Sequence, residues 1–180
     1  MKQGLLLVDI QNDYFPGGKV ALAGMTEAGL RAGRLLSYFR EKGLATFHIQ
    51  HLSTAPKAGF FVPNTEGVEI HENVKPLPDD MIIRKHYPNS FRETSLLEDL
   101  KKAGIEEVVV CGAMSHMCLD ATTRAAADHG FKCIVVHDAC AAMDLSFDGK
   151  AIPADQVHGA FMAALGFAYA RVISLDEFLK

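Results

Sequence analysis

Three residues that could carry out chemistry stand where apolar, strand-like runs of the sequence end. Asp9 follows the run LLLV, Lys85 follows MIIR, and Cys118 lies in the loop after VVVCG. A charged side chain at the end of a buried strand is costly unless a partner lies close by, which favours a shared location for Asp9 and Lys85. A cysteine beside a carboxylate and an ammonium would be a candidate nucleophile.

Cys118 has several features that favour attack on an acyl carbon. The helix predicted to begin near it would present free N–H groups and a positive dipole end to a thiolate. Lys85 could supply a nearby cation, and Asp9 could accept the thiol proton and return it to a leaving amine. Backbone N–H groups of the loop GAMSHMC could form an oxyanion hole. The reaction that fits these groups is hydrolysis of an amide through a thioester.

Each of these residues also has an ordinary structural explanation. A cysteine at a helix start commonly packs in the core, Asp9 could belong to a turn, and Lys85 could pair with an acid at the surface. His116 stands two residues before Cys118 and suggests a Cys–His pair, but its ring would have to fold back on its own loop. From the residue types alone, a catalytic set and a packing cysteine both stay open.

Short apolar runs alternate with amphipathic stretches along the chain, and this alternation predicts the elements that would hold these residues. Strands are predicted at 4–10, 45–52, 80–86, 106–112, 131–140 and 171–175. Helices are predicted at 27–43, 90–104, 117–130 and 153–170. The proline- and glycine-rich segment after the second strand is predicted to be a long loop. The helix at 90–104 is expected to open with a capping box of Ser90 and Glu93.

Strands that are apolar throughout and separated by helices are typical of a parallel sheet covered on both faces. We therefore predict a single α/β domain over residues 1–180, a three-layer α/β/α sandwich with a six-stranded, mainly parallel sheet. In such sheets, ligands bind beyond the carboxyl ends of the strands. Asp9, Lys85 and Cys118 are then expected to meet at one rim of the sheet.

The composition excludes several classes of function. Hydrophobic residues make up 49% and charged residues 22%, which is typical of a globular protein. The net charge of -4 and the absence of a basic cluster argue against nucleic-acid binding. No run approaches the roughly 20 apolar residues of a membrane span, and the N-terminal run is too short for a signal peptide. We expect a cytoplasmic protein that acts on a small molecule and has no disulfide framework, with buried free thiols at Cys111 and Cys133 and a weaker case for this at Cys118 and Cys140.

Three separated segments resemble the isochorismatase-like cysteine hydrolases in order and spacing. They read LLLVDIQNDYFPGGKVAL, RKHYPNSFRETSLLEDLKKAGIEEVVVCGAMSHMCLDATTRAAADHGF and VVHDACAA. The resemblance covers most of the chain and implies a Rossmann-like fold with a catalytic triad of Asp9, Lys85 and Cys118. It also implies a cis peptide bond between Ala113 and Met114, which would direct the N–H of Met114, with that of Cys118, at the oxyanion.

The resemblance leaves the substrate open, because the family contains amidases and a vinyl-ether hydrolase. Nicotinamidases within it hold a metal with an aspartate and a histidine two residues apart after the second strand, and a further histidine. Here Ile49 takes the place of that aspartate, and His51 and His71 without a carboxylate make a poor site. We therefore predict no metal and no cofactor. The presence of Cys118 favours C–N hydrolysis, and the alternatives are vinyl-ether hydrolysis or a non-catalytic binding module.

The segment GFFVPNTEGVEIHENVKP resembles the loop that covers the pocket in streptothricin-hydrolase-like amidases. Aromatic residues near it are expected to form apolar walls, and nearby polar residues to contact the substrate, although core packing explains each of them equally well. The candidates for substrate contact are Gln11, Phe15, Gln50, His51, Phe61 and Tyr87. Small residues in ATTRAAA and GAFMAALGFAYA suit close helix packing between subunits, so a homo-oligomer is expected.

Overall fold

The fold is built on a six-stranded sheet in a computed structural model that describes residues 1–55 and 57–180. The order across this sheet is β3-β2-β1-β4-β5-β8, and neighbouring strands are parallel throughout. Two short strands, β6 and β7, form a separate antiparallel hairpin. The strands are β1 (Gln3–Val8), β2 (Ala45–His51), β3 (Met81–Lys85), β4 (Glu107–Ala113), β5 (Lys132–Ala141), β6 (Leu145–Phe147), β7 (Lys150–Ile152) and β8 (Arg171–Ile173).

The helices lie in two groups on the sheet. One group packs α1 against β1, β2, β4 and β5, with the short α5 beside it on β5. The other packs α3 and α4 against each other and against β4, β5 and β8. The predicted α/β class, with a six-stranded parallel sheet and helices, is confirmed. The helices are α1 (Met25–Glu41), α2 (Leu96–Lys102), α3 (Cys118–Asp128), α4 (Ala154–Ala168) and α5 (Leu175–Phe178).

The predicted helix at 90–104 is wrong at its start. Ser90 does not cap a helix, because it is buried and its hydroxyl forms a 2.7 Å hydrogen bond with the hydroxyl of Thr122 in α3. Glu93 has a φ of 56°, which lies outside the helical region, and α2 begins only at Leu96. The hydroxyl of Ser90 therefore forms a tertiary hydrogen bond with α3 and does not cap a helix. Sequence analysis also missed the β6–β7 hairpin and α5, both of which are short.

Strand register brings the carboxyl ends of four neighbouring strands to one rim of the sheet. Val8, the last residue of β1, pairs with Gly112 near the end of β4. Gly112 has a φ of 122°, and a Cβ atom there would lie 2.0 Å from the carbonyl oxygen of Val8. Glycine is therefore required for β4 to approach β1 at this point. On the other side of β1, His51 and Lys85 pair at the ends of β2 and β3.

The helix α4 exposes an uncharged surface. The stretch HGAFMAALGFAYA contains no Asp, Glu, Lys or Arg, and Phe167 within it is 91% exposed. Association into a homo-oligomer stays a prediction, and this uncharged surface is the candidate contact between subunits. Across residues 1–55 and 57–180, no helix has both the length and the apolar character needed to cross a membrane.

Candidate active site

A buried ion pair lies at the centre of the rim. Asp9 follows β1 directly, and its Oδ2 lies 2.8 Å from Nζ of Lys85, with both side chains fully buried. Asp9 has a φ of 51°, and its N–H donates to the carbonyl of Ile49 at 3.1 Å. A left-handed backbone in a non-glycine residue costs on the order of 1 kcal/mol, and such strain is typical of functional sites. The rim therefore holds its carboxylate in a fixed, strained position.

The ammonium of Lys85 makes three polar contacts. Besides Asp9 Oδ2, it contacts Nδ1 of His51 at 3.1 Å and donates to the carbonyl of Tyr87 at 3.1 Å. An ammonium group can only donate hydrogen bonds. Nδ1 of His51 is therefore the unprotonated nitrogen, and the ring carries its hydrogen on Nε2. This assignment makes Nδ1 of His51 a hydrogen-bond acceptor within the site.

Cys118, the first residue of α3, completes this group. Its Sγ lies 3.7 Å from Nδ1 of His51, and the ligating atoms of Asp9, His51 and Cys118 all lie within 4.8 Å of one another. The structure thus brings together Asp9, Lys85 and Cys118 at one rim. It also places His51 against all three, which sequence analysis did not anticipate. The available signal was the position of His51 and Lys85 at the ends of adjacent strands.

The charges of the site follow from burial and from these contacts. Burial alone would raise the pKa of Asp9, but the positive charge of Lys85 outweighs it and lowers that pKa. Burial would lower the pKa of Lys85, but the carboxylate of Asp9 outweighs it and raises that pKa. At neutral pH the pair is therefore fully charged.

The thiol of Cys118 behaves differently. Burial raises its pKa and the negative charge of Asp9 raises it further, while Lys85 opposes both only in part. The sequence had favoured a thiol activated in advance by a cation and a helix N-terminus. That expectation is wrong for the resting site, because burial and the carboxylate outweigh the cation. Cys118 is therefore protonated at rest, and an accepting base is needed to generate the thiolate.

The raised pKa of Cys118 predicts how the rate of its alkylation depends on pH. Alkylation of Cys118 by iodoacetamide is expected to be slow at pH 7 and to accelerate continuously above pH 9, because the thiolate fraction lies below that of an ordinary cysteine. The measurement is a series of rates against pH, with the modified residue located by peptide mass spectrometry. The Cys118→Ser variant identifies the signal that belongs to this thiol. A rate that levels off below pH 8 would contradict the assignment of a resting thiol.

The loop before α3 carries the predicted oxyanion hole. The peptide bond between Ala113 and Met114 is cis, as the family resemblance implied. Among the described residues, no backbone carbonyl accepts a hydrogen bond from the N–H of Met114 or Cys118. Ser115 anchors the loop to the end of β5, donating to the carbonyl of Ala141 from its N–H at 2.8 Å and from its hydroxyl at 3.0 Å. The two predicted N–H groups are thus available to a ligand, and their role stays a prediction.

Phe61 covers the site. It is 1% exposed, and its ring centre lies 4.7 Å from that of Tyr14 and 5.7 Å from that of His51. Its N–H donates to Oδ2 of Asp13 at 2.6 Å, and its carbonyl accepts from the N–H of Ser53 at 2.9 Å. The position fits the apolar wall predicted for Phe61. Asp13, which fixes this covering residue, was missed in sequence analysis.

Two of the predicted polar contacts form hydrogen bonds with the main chain. Gln11 donates both amide hydrogens, to the carbonyls of His51 and Val68, and accepts from the N–H of His51. Gln50 donates to the same carbonyl of Val68 at 3.0 Å and accepts from Nε of Arg84 at 3.4 Å. Both side chains connect residues 59–76, which we call the covering segment, to the strand ends. The contact of either side chain with a substrate stays a prediction.

The two remaining aromatic candidates occupy different places. Tyr87 contributes its carbonyl to Lys85, while its ring lies beneath the guanidinium of Arg92, 3.6 Å from the ring centre. The ring of Phe15 stacks on that of His71, with 3.4 Å between their centres. Tyr87 is therefore next to the ion pair through its main chain. The contact of Phe15 links it to the covering segment, and its role toward a substrate stays a prediction.

The comparison with known proteins agrees with this geometry. A family model described as the isochorismatase domain matches residues 3–169. This chain belongs to the isochorismatase family. It is 53% identical to the isochorismatase family protein YddQ of Bacillus subtilis (strain 168) over 180 residues, which cover all of both chains. It is 36% identical over 143 residues to a streptothricin hydrolase of Streptomyces noursei, covering 79% of this chain and 51% of that protein.

The fold comparison gives the same family. A crystal structure from Oleispira antarctica, assigned to isochorismatase hydrolases, superposes with a TM-score of 0.95 at 48% identity, covering 99% of this chain and 96% of that one. Members of the isochorismatase family are hydrolases, and they include amidohydrolases. The present chain is accordingly a hydrolase of that family.

The metal site of the nicotinamidases within the isochorismatase family does not fit these residues. Ile49 is buried where the aspartate would stand, and Nδ1 of His71 accepts from the N–H of Asn73 at 3.2 Å. The ammonium of Lys85 already lies within contact distance of both Asp9 and His51. A cation is therefore present in the site as part of the protein. The absence of a required metal stays a prediction.

Two cavities in the described part of this isochorismatase-family chain lie away from the ion pair. One, of about 860 Å³, is lined by residues that include Phe15 and His71, and the other, of about 940 Å³, by residues that include Gln50 and Arg84. Neither is lined by Asp9, Lys85 or Cys118. Asp9, Lys85 and Cys118 are all buried, and Phe61 packs beside the adjacent ring of His51.

Proposed function

We propose that this isochorismatase-family hydrolase cleaves a small amide or a related C–N bond through a thioester on Cys118. The observation that carries the proposal is the buried pair of Asp9 and Lys85, with 2.8 Å between its charged atoms and the thiol of Cys118 beside it. The pair supplies a proton acceptor and a cation at the same sulfur atom. Streptothricin hydrolase, a relative with 36% identity, is a hydrolase by name and supports the reaction class.

Acylation begins with transfer of the thiol proton to Asp9. Among the described residues no N–H group donates to Oδ1 of this carboxylate, which leaves that oxygen for the proton. Sγ then forms a bond to the amide carbon while the C=O electron pair moves onto oxygen, and Lys85 stabilises the thiolate as it forms. The N–H groups of Met114 and Cys118 stabilise the oxyanion. When the tetrahedral intermediate collapses, the C–N bond breaks and the leaving amine takes the proton from Asp9.

Deacylation repeats these steps with water. Asp9 accepts a proton from the water molecule as its oxygen attacks the thioester carbon. Collapse of the second tetrahedral intermediate breaks the C–S bond and releases the carboxylic acid. The thiolate of Cys118 then recovers its proton from Asp9, so the site returns to its starting state.

Hydrolysis of a vinyl ether, the alternative reaction, would leave Cys118 without a role. Hydrolysis of a vinyl ether starts by protonation of carbon and needs no nucleophilic sulfur. Here Cys118 lies in contact with His51 and close to the carboxylate of Asp9, where a nucleophile would be placed. A non-catalytic module is a poorer alternative, since a buried ion pair stabilises a fold only weakly.

The proposal is tested by intercepting the acyl-enzyme. The purified protein is screened for release of ammonia or amine from nicotinamide, ureido compounds and maleamate, with hydroxylamine added in parallel reactions. We expect the active amide to yield a hydroxamate in place of part of the acid, because hydroxylamine attacks the thioester. The Cys133→Ala variant should give the same products. Amide turnover without hydroxamate and without any acyl group on the Cys118 peptide would contradict the mechanism.

A further inference from the structure

We propose that His51 is a positioning residue for the reaction at Cys118, and that it acts by holding the ammonium of Lys85. Its Nδ1 lies 3.1 Å from Nζ of Lys85 and 3.7 Å from both Sγ of Cys118 and Oδ2 of Asp9. It is the group that contacts all three members of the proposed catalytic set. The catalytic consequence rests on the proposed function, whereas the contact with Lys85 does not.

The hydrogen-bond count of Lys85 explains why an acceptor is needed here. The side chain is fully buried, so water is not available to replace a missing partner. Its polar partners are the carboxylate of Asp9, through the ion pair, the carbonyl of Tyr87 and Nδ1 of His51. Without that nitrogen, the buried ammonium loses one of its three polar partners and turns towards the two that remain. Its placement against the sulfur would then be lost.

The imidazole of His51 is itself held on several sides. Oε1 of Gln11 accepts from its N–H at 2.8 Å, and Nε2 of Gln11 donates to its carbonyl at 2.9 Å. Its position at the end of β2 is fixed by pairing with Lys85 in β3, and Phe61 packs against its ring. A residue whose main chain and side chain are both restrained in this way is suited to positioning a neighbour.

The same contacts argue against His51 as the base. The lone pair on Nδ1 of His51 already accepts a hydrogen bond from Lys85. A proton on that nitrogen would lie close to the ammonium, because Nδ1 and Nζ are 3.1 Å apart. Asp9 carries a negative charge within reach of the same thiol and has an oxygen that no N–H group of the described residues reaches. Proton transfer therefore goes to Asp9, and His51 acts through Lys85.

Three variants separate positioning from simple structural support. Asparagine at position 51 places an amide oxygen near the place of Nδ1, glutamine places its amide near the place of Nε2, and leucine has no acceptor. We expect His51→Leu and His51→Gln to lower kcat by roughly 10- to 100-fold with KM changed by less than about threefold. His51→Asn should recover most of kcat. Equal loss in all three variants, or loss through KM alone, would overturn the proposal.

A second measurement does not depend on turnover. Long-range ¹H–¹⁵N NMR of histidine-labelled protein reports which ring nitrogen carries the hydrogen. We expect the Nε2–H tautomer for His51, converted to a mixture in Lys85→Met, while His71, whose Nδ1 accepts from a backbone N–H, stays unchanged. A hydrogen on Nδ1 of His51 in the unmodified protein would overturn the proposal even if the amidase is confirmed. If no amide is hydrolysed, the proposed function fails, and the tautomer still decides the contact.

Discussion

Replacement of Cys118 by alanine is expected to lower kcat/KM by roughly 10⁴-fold or more, because loss of a covalent nucleophile removes the whole reaction path. The ion pair of Asp9 and Lys85 is expected to persist, since the thiol is neutral at rest and contributes no charge to it. The unfolding free energy should then change by no more than about 1 kcal/mol. Steady-state kinetics on the amide found in the screen, with urea unfolding of the same preparation, measures both quantities.

The matched control is Cys133→Ala, which removes a thiol that is also buried but lies near the start of β5, opposite Val108 in β4. Its kcat/KM should remain within about twofold of the parent enzyme. If Cys118→Ala keeps more than a tenth of the parent activity, the sulfur is not the nucleophile. In that case hydrolysis by water activated at Asp9 becomes the better account.

Replacement of Lys85 by methionine should be the most damaging change to the fold. It leaves the carboxylate of Asp9 buried without its cation, and breaking a buried pair from one side costs about 3–5 kcal/mol. In the parent protein the pKa of Asp9 is lowered, so the ionised carboxylate stabilises the fold. This stabilisation is fully present above the unfolded pKa near 4 and is lost as the pH falls. Without Lys85, burial raises that pKa. The loss of unfolding free energy in Lys85→Met, relative to the parent protein, should therefore be largest at neutral pH. It should shrink as the pH falls and Asp9 becomes protonated.

A double variant tests the cause of this loss. Asp9→Asn combined with Lys85→Met removes the unpaired charge, so the double variant should be more stable than Lys85→Met alone. Urea unfolding at pH 7 and at pH 4 gives the comparison. Equal instability of the single and double variants at pH 7 would show that packing of the lysine stem, and not the charge, is responsible. All these variants should lack measurable turnover.

The residues of the proposed triad could be predicted to meet because parallel sheets place their strand ends along one rim. Asp9, Lys85 and Cys118 each follow an apolar run long enough to be recognised as a strand, and the strand order then places them side by side. The long apolar elements were predicted for the same reason. Their periodicity depends on burial, which acts on every residue of the run.

The features that could not be predicted depend on contacts between distant segments. The sequence around Ser90 has the pattern of a capping box, but the hydroxyl of Thr122 competes for it and no local pattern reports that competition. The raised pKa of Cys118 depends on how deeply α3 and the covering segment bury it. The contact of His51 with Lys85 depends on the register between β2 and β3. Each of these becomes visible only when the segments are assembled.

The way the covering segment is attached bears on how this enzyme could diverge. Gln11 and Gln50 hold it through the carbonyl of Val68, and Asp13 holds it through the N–H of Phe61, whereas the reacting groups belong to the strands and the loop before α3. The segment is therefore held by residues at the strand ends and supplies none of the proposed reacting groups. Mutations that reshape it during evolution can change which molecules are admitted while the inherited reaction is retained.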